Sequence, residues 1–316
     1  VLSHGAVMLQ LSETELLGVD DGLLDDTGLL SLIEHPLRVQ SLLAQIRAGM
    51  WVRNGFAASK PATLYYSPIF GENFFMPDLL LLQVGLVKLG MGHIIDAALG
   101  VFHVAALPLE LLLDRAFVGS AASEVSPQSL VLLEDLLQLL IRTLRERSMA
   151  GESPDATLRR QLVHRLALAD TASHSELTSA LPRHLVERPA FLSTLRDVAD
   201  FHSPIGMQQG RYALRPAVWC EYDPWFSFYS PLEAERAGER AGFVPPEPAR
   251  AQPLPPLAAT SPALAALRNA AASEALLALI YPHVAAGAAT RISERLLAAA
   301  LRLLEMALAA AAEASG

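Results

Sequence analysis

Metal or nucleophilic chemistry in this chain would have to be built from nine histidines and one cysteine, Cys220. Zinc requires three or four such ligands converging at about 2 Å, and ligand motifs place them only a few residues apart. Here His164, His174 and His184 follow one another at ten-residue intervals, and neither His-x-x-x-His nor Cys-x-x-Cys occurs. The histidines therefore read as dispersed surface or hydrogen-bonded residues, with His103, on an apolar helix, as a satisfied core residue. Cys220 sits in the aromatic run from Trp219 to Tyr229 with no evident cation to stabilise a thiolate, so it reads as a small buried hydrophobe. Gly90-Met91-Gly92 lacks the third glycine and the preceding strand of a dinucleotide loop. Neither a Gly-x-Ser-x-Gly elbow nor a Gly-Lys-Ser/Thr phosphate loop is present. No catalytic, cofactor-binding or metal-binding residue is assigned.

Charge and hydropathy exclude further classes. Twenty-four Lys and Arg against 33 Asp and Glu leave a net charge of −9, the wrong sign for a chain that lives on phosphate backbones. Hydrophobic residues make up 52% and charged ones 18% of the 316 residues, enough apolar material for two or three folded units. The longest charge-free run in the most apolar region, 97–109, is 13 residues, short of the roughly 18 that span a bilayer, so no membrane association is expected. No secretory signal opens the chain. The start at Val1 and the arbitrary close at Glu313-Ala314-Ser315-Gly316 suggest a segment of a longer protein.

The elements that would position any functional surface are mainly helical. Residues 1–150 read as a helical scaffold. Within it, Val39, Leu42, Leu43, Ile46 and Met50 recur at helical spacing from Pro36, and Asn54-Gly55 is the expected stop. Residues 56–78 read as an irregular loop pinned by Tyr65, Tyr66, Phe74 and Phe75, and Leu79–Gly90, Ile94–Val104 and Leu109–Phe117 as enclosed helices. After Ser126-Pro127, Leu130, Leu133, Leu137, Leu140 and Leu144 form a stripe ending in arginines suited to the helix dipole.

Residues 151–232 predict three helices and a small β-hairpin, the pattern of a winged helix. The helices open at Ser153-Pro154, at the capping box Ser173 to Glu176, and at Pro189; the hairpin is placed around Ile205–Met207 and Arg211–Arg215. Its charge argues against DNA: over 155–223 eight arginines meet eight carboxylates, and over 187–200 two arginines meet three. Residues 233–262 read as a Pro-rich linker, and 263–316 as a helical hairpin continuing the scaffold, its second helix marked by a ridge of Leu297, Leu301, Leu304 and Leu308. The expected class is mainly α with an embedded winged helix.

Four ordered blocks carry a resemblance. They are His35–Arg38 running through Ala44–Gly55; Tyr65-Tyr66 with Asp78-Leu79 and Leu82-Gln83; Ser175–Leu177 with Leu181-Pro182; and Tyr212, Leu214–Pro216, Glu221–Phe226 and Tyr229-Ser230. Together they resemble the central region of the UBR-type N-recognins, RING-type E3 ubiquitin ligases of the N-end rule pathway. The resemblance implies a scaffold segment that positions N-degron-reading modules relative to an E2 and the RING. It also implies a cytoplasmic or additionally nuclear location, with partners in the rest of the ligase, the E2 and N-degron substrates. Zinc belongs to the family's UBR box and RING; one cysteine cannot build either, so none is expected here and the segment alone is expected to be inactive. Trp51, Arg53 and Asn54 could line a partner surface, or serve as a packed tryptophan, a dipole-facing cation and a helix cap. The alternative function is a winged-helix adaptor unconnected to ubiquitin.

Overall fold

The computed structural model describes residues 26–53, 55–104, 126–204, 209–243, 266–290 and 293–315. The chain divides into two compact units. The first comprises Val1–Ala62, Pro77–Glu146 and Leu254–Gly316, and the second Thr63–Met76 and Arg147–Pro253. The expected helix Leu109–Phe117 lies outside the described residues.

In the first unit, α1 (Asp26–Arg47) packs on α5 (Met91–Val101) and on α6 (Pro127–Arg145), with α4 (Phe75–Leu89) preceding α5 in the chain. Three later helices, α12 (Leu267–Ala271), α13 (Glu274–Thr290) and α14 (Glu294–Ser315), join the same body: α14 lies on α6, α12 and α13, and α13 on α5. Ser126 caps α6 by accepting from the Ser129 N–H at 3.1 Å, with Pro127 in the first turn, as the sequence predicts. Leu133, Leu137, Leu140 and Leu144 are buried along α6.

The face of α1 differs from the expected one. Buried are Leu29, Ile33, Pro36, Leu37, Gln40, Ser41 and Ala44, whereas Leu42 and Met50 are exposed. The small and polar side can enter the core because its hydrogen bonds are met: the Ser41 hydroxyl donates to the Val101 carbonyl at 3.0 Å. Pro36 does not start the helix but lies within it. Nor does Asn54-Gly55 end it; Gly49, at φ 72°, takes the left-handed position and Gly55 opens α2 (Gly55–Tyr66).

The closest approach in this unit is at Gly85, where a Cβ would stand 2.3 Å from Ile33 Cδ1 and 3.1 Å from Ile94 Cδ1. Gly85→Val is therefore expected to destabilise by about 1–3 kcal/mol, the usual cost of overpacking, seen as a lower urea midpoint. An unchanged midpoint would mean that the Ile33 side chain yields freely.

The second unit contains the winged helix. Its elements are α7 (Pro154–Ala167), β1 (Ala172–Ser173), α8 (His174–Ala180), α9 (Arg183–Val186), α10 (Phe191–Val198), β2 (Ala199–His202) and β3 (Arg211–Leu214). The sheet order is β1-β3-β2, antiparallel throughout, with Ala199 opposite Leu214 and Phe201 opposite Tyr212. Ser173 and Glu176 form the expected reciprocal cap on α8. Leu158, Leu162, Val163 and Leu166 from α7 and Phe191, Leu195 and Val198 from α10 are buried. The strand that pairs with β3 is Ala199–His202, which follows α10 directly, Ala199 being in extended conformation; Ile205–Met207, where the hairpin's first strand is expected, lies outside the described residues.

Two further readings are corrected. Residues 56–78 are not an irregular loop: α2 is followed by α3 (Pro68–Gly71), capped by Ser67, and then by α4, with Pro77 in its first turn. Pro68 and Pro77 stand in the first turns of their helices, where proline is well suited, whereas Pro61 lies inside α2. Three of the four expected aromatics do pack together, the Tyr65, Tyr66 and Phe75 rings meeting at centroid distances of 5.0–5.5 Å and Phe75 meeting Phe228 at 6.4 Å, whereas Phe74 is exposed. Likewise, the segment read as linker begins with a helix, α11 (Pro231–Phe243), whose Ala237 is fully buried.

Candidate functional site

The histidines are not brought together. His174 and His184 are exposed, His103 is exposed at φ 56° just past the end of α5, and among the histidines whose burial is described only His164 is buried. His103 is thus a left-handed cap rather than a core residue; its N–H donates to the Gly100 carbonyl. Cys220 is exposed, contrary to the sequence reading, because the 3-10 turn Pro216–Glu221 directs it outward, where its S–H donates to the Ala217 carbonyl at 3.1 Å. Among the described residues, no group of three or more His, Cys, Asp or Glu side chains is arranged to hold a metal. Trp51 is half-exposed at the end of α1 with its indole N–H donating to Gln45 Oε1 at 3.4 Å; Arg53 is exposed, and Asn54 lies outside the described residues.

What His164 does is architectural. Asp223 N–H donates to its Nε2 at 3.0 Å, which makes Nδ1 the protonated nitrogen, donating to the Arg160 carbonyl at 2.7 Å. The Phe226 ring stacks on the imidazole at 4.0 Å, and the Tyr229 hydroxyl donates to the His164 carbonyl at 2.7 Å. The block Glu221–Tyr229 is thereby clamped onto α7. Ser230 and Glu233 then cap α11 reciprocally, and Arg165 reaches Glu233 at 3.0 Å. Arg240 pairs with Asp170 at 3.2 Å and lies over the Trp219 ring. A histidine on the predicted inward face of α7, next to Val163, was the available sequence signal.

Burial pushes the His164 imidazole down to about 4 from 6.5. The unfolded chain then binds the extra proton more readily between those values. The clamp's contribution is complete above pH 6.5 and is lost as pH falls towards 4, about 3 kcal/mol in all. Urea denaturation across that range is expected to show stability dropping on the acid side; a flat profile would mean that the ring is protonated without cost.

A second, part-buried polar group joins α1 to α6. Arg47, at the end of α1, donates to both oxygens of Asp135 on α6 (2.8 and 2.9 Å), to Glu134 at 3.2 Å and to the Val131 carbonyl at 3.1 Å. Burial raises both carboxylates despite Arg47, and it opposes the charge of Arg47 itself, whose two anionic partners nevertheless raise its pKa. Two adjacent acids inside a leucine stripe were the clue.

The surface of the winged helix is electrically closed. Seven of the eight arginines between 155 and 223 sit within ion-pair distance of carboxylates: Arg159–Glu221 (2.6 Å), Arg160–Glu152 (2.8 Å), Arg165–Glu233 (3.0 Å), Arg183–Glu187 (2.6 Å), Arg188–Asp155 (2.6 Å), Arg211–Glu176 (3.2 Å) and Arg215–Asp200 (3.0 Å). Phosphates would have to displace these partners, so counterion release offers little. On α10 and β2, the elements that read duplex DNA in such folds, Leu192 and Phe201 are instead half-exposed apolar groups. Phe201 packs on Tyr212 at 5.1 Å. That chemistry suits contact with protein.

Comparison with known proteins gives two family matches. Residues 157–241 match the winged-helix domain of UBR1-like E3 ubiquitin-protein ligases, and residues 6–106 match the UBR1/2/3-like ARM repeat domain. Among individual relatives, the E3 ubiquitin-protein ligase PRT6 of Arabidopsis thaliana is 32% identical over 66% of this chain and 10% of its own length. Mouse UBR2 is 30% identical over 71% of the chain and 13% of its length, and human UBR3 33% over 66% and 11%. The chain thus spans about a tenth of the length of the curated relatives it matches.

Proposed function

Since this chain belongs to the UBR-type family of E3 ubiquitin-protein ligases and carries its ARM-repeat and winged-helix domains, we propose that it is the scaffold segment of such a ligase, with no chemistry of its own. The observation that carries the reading is the occurrence of both family domains in one chain. Transfer of ubiquitin from an E2 thioester to a substrate lysine depends on holding two bound proteins within reach of each other, and packed helices fix that distance more narrowly than a flexible linker.

The parent ligase would act on proteins bearing N-degrons, in the cytoplasm and also the nucleus, with the E2 and substrates bound by its other modules. The family's zinc does not fit here, because a single exposed cysteine and dispersed histidines cannot furnish a four-ligand site. Nucleic acid is not a partner on this reading, as the ion-paired arginines support. The test is discharge of an E2–ubiquitin thioester by the isolated 316-residue chain. No acceleration over E2 alone is expected; acceleration would overturn the assignment of chemistry to other modules.

A further inference from the structure

The ridge Leu297, Leu301, Leu304 and Leu308 of α14 does not face the core. Leu301 and Leu308 are 46% and 62% exposed, Leu297 and Leu304 are half-buried, and the side turned inward is built of Leu296, Ala299, Ala300, Leu303, Met306 and Ala307, with Arg302 buried beside them. A leucine row left outside the core-facing side is an apolar stripe that still lacks a partner within the described residues. The outward leucines are spaced four, three and four residues apart, which is the seam of a heptad rather than the broader stripe of a helix lying on a globular core. The seam is flanked by Ala298 and Glu305, and a surface so poor in charge fits a helix and not a polyanion.

We infer that this seam is the docking face for one more α-helix, contributed by the remaining length of the ligase polypeptide and presenting leucine-sized side chains at the same heptad spacing. The inference rests on the scaffold reading above. Helical repeats bury their apolar faces against successive neighbours, and the relatives hold roughly nine-tenths of their length outside the matched stretch, ample for such a neighbour.

The experiment places a thiol at the seam with Leu301→Cys and measures its maleimide labelling by mass spectrometry of the peptide carrying that residue. It is run in the isolated chain and in the full-length ligase, each normalised to the rate in denaturant. Fast labelling of the isolated chain at every concentration, and labelling more than about tenfold slower in the full-length ligase, are expected. Equal rates in the two would overturn the inference. So would protection in the isolated chain, because the cover would then be a second copy, if lost on dilution, or this chain itself. Ubiquitin conjugation by the same full-length preparation is scored separately: an active ligase with an open thiol sinks the seam alone, and an inactive one with a protected thiol sinks the functional reading alone.

Discussion

Arg47→Met is expected to destabilise the first unit by about 2–3 kcal/mol, less than the cost of breaking a fully buried ion pair, because the Arg47 and Asp135 side chains stay 22% and 20% exposed. The reason lies in what remains. Glu134 and Asp135 would stay in a site where burial already raises their pKa values, without the guanidinium that offsets it. The variant should regain stability as pH falls and the two acids take up protons, and by more than the wild type, whose carboxylates are already raised by burial but held down by Arg47. A triple variant, Arg47→Met with Glu134→Gln and Asp135→Asn, should recover most of the loss, since it leaves no uncompensated charge. A loss below about 1 kcal/mol in the single variant would class the group with ordinary surface ion pairs.

His164→Ala is the second large effect, expected at about 3–5 kcal/mol in the winged-helix unit. The variant removes the ring on which Phe226 stacks at 4.0 Å, leaves a void behind it, and deprives the Asp223 N–H of its acceptor. Chemical denaturation followed by tryptophan fluorescence would measure it, because Trp225 lies in the clamped segment and Trp219 in the turn that leads into it. The acid-side loss of stability should disappear in the same variant. If it persisted unchanged, some group other than His164 would be titrating.

The parts of this fold legible in sequence were those fixed locally. Ser126, Ser153 and Ser173 cap helices where their neighbours say they should, because a cap needs only the next three residues. The faces of amphipathic helices were legible only where one face is polar, as in α10. In α14 alanine and leucine surround the axis, so periodicity could not tell the close-packed alanine side from the leucine seam. In α1 the chosen face was rotated because Gln40 and Ser41 are buried, which composition alone disfavours. Strand β2 escaped notice because Asp200, Phe201 and His202 are all exposed and show no alternation. The absence of a reactive centre was argued from residue spacing. The tertiary roles of His164 and Arg47 depend on partners 59 and 87–88 positions away and could not be read from spacing at all.

The most direct test of the strut is to excise it. In the full-length ligase, these 316 residues would be replaced by a flexible Gly/Ser linker of equal reach, and two rates compared: E2–ubiquitin discharge to free lysine, and transfer to a bound N-degron substrate. The account predicts unchanged discharge with substrate transfer slower by about a hundredfold, the scale on which effective concentration acts. Unimpaired substrate transfer, or an equal fall in both rates, would contradict it.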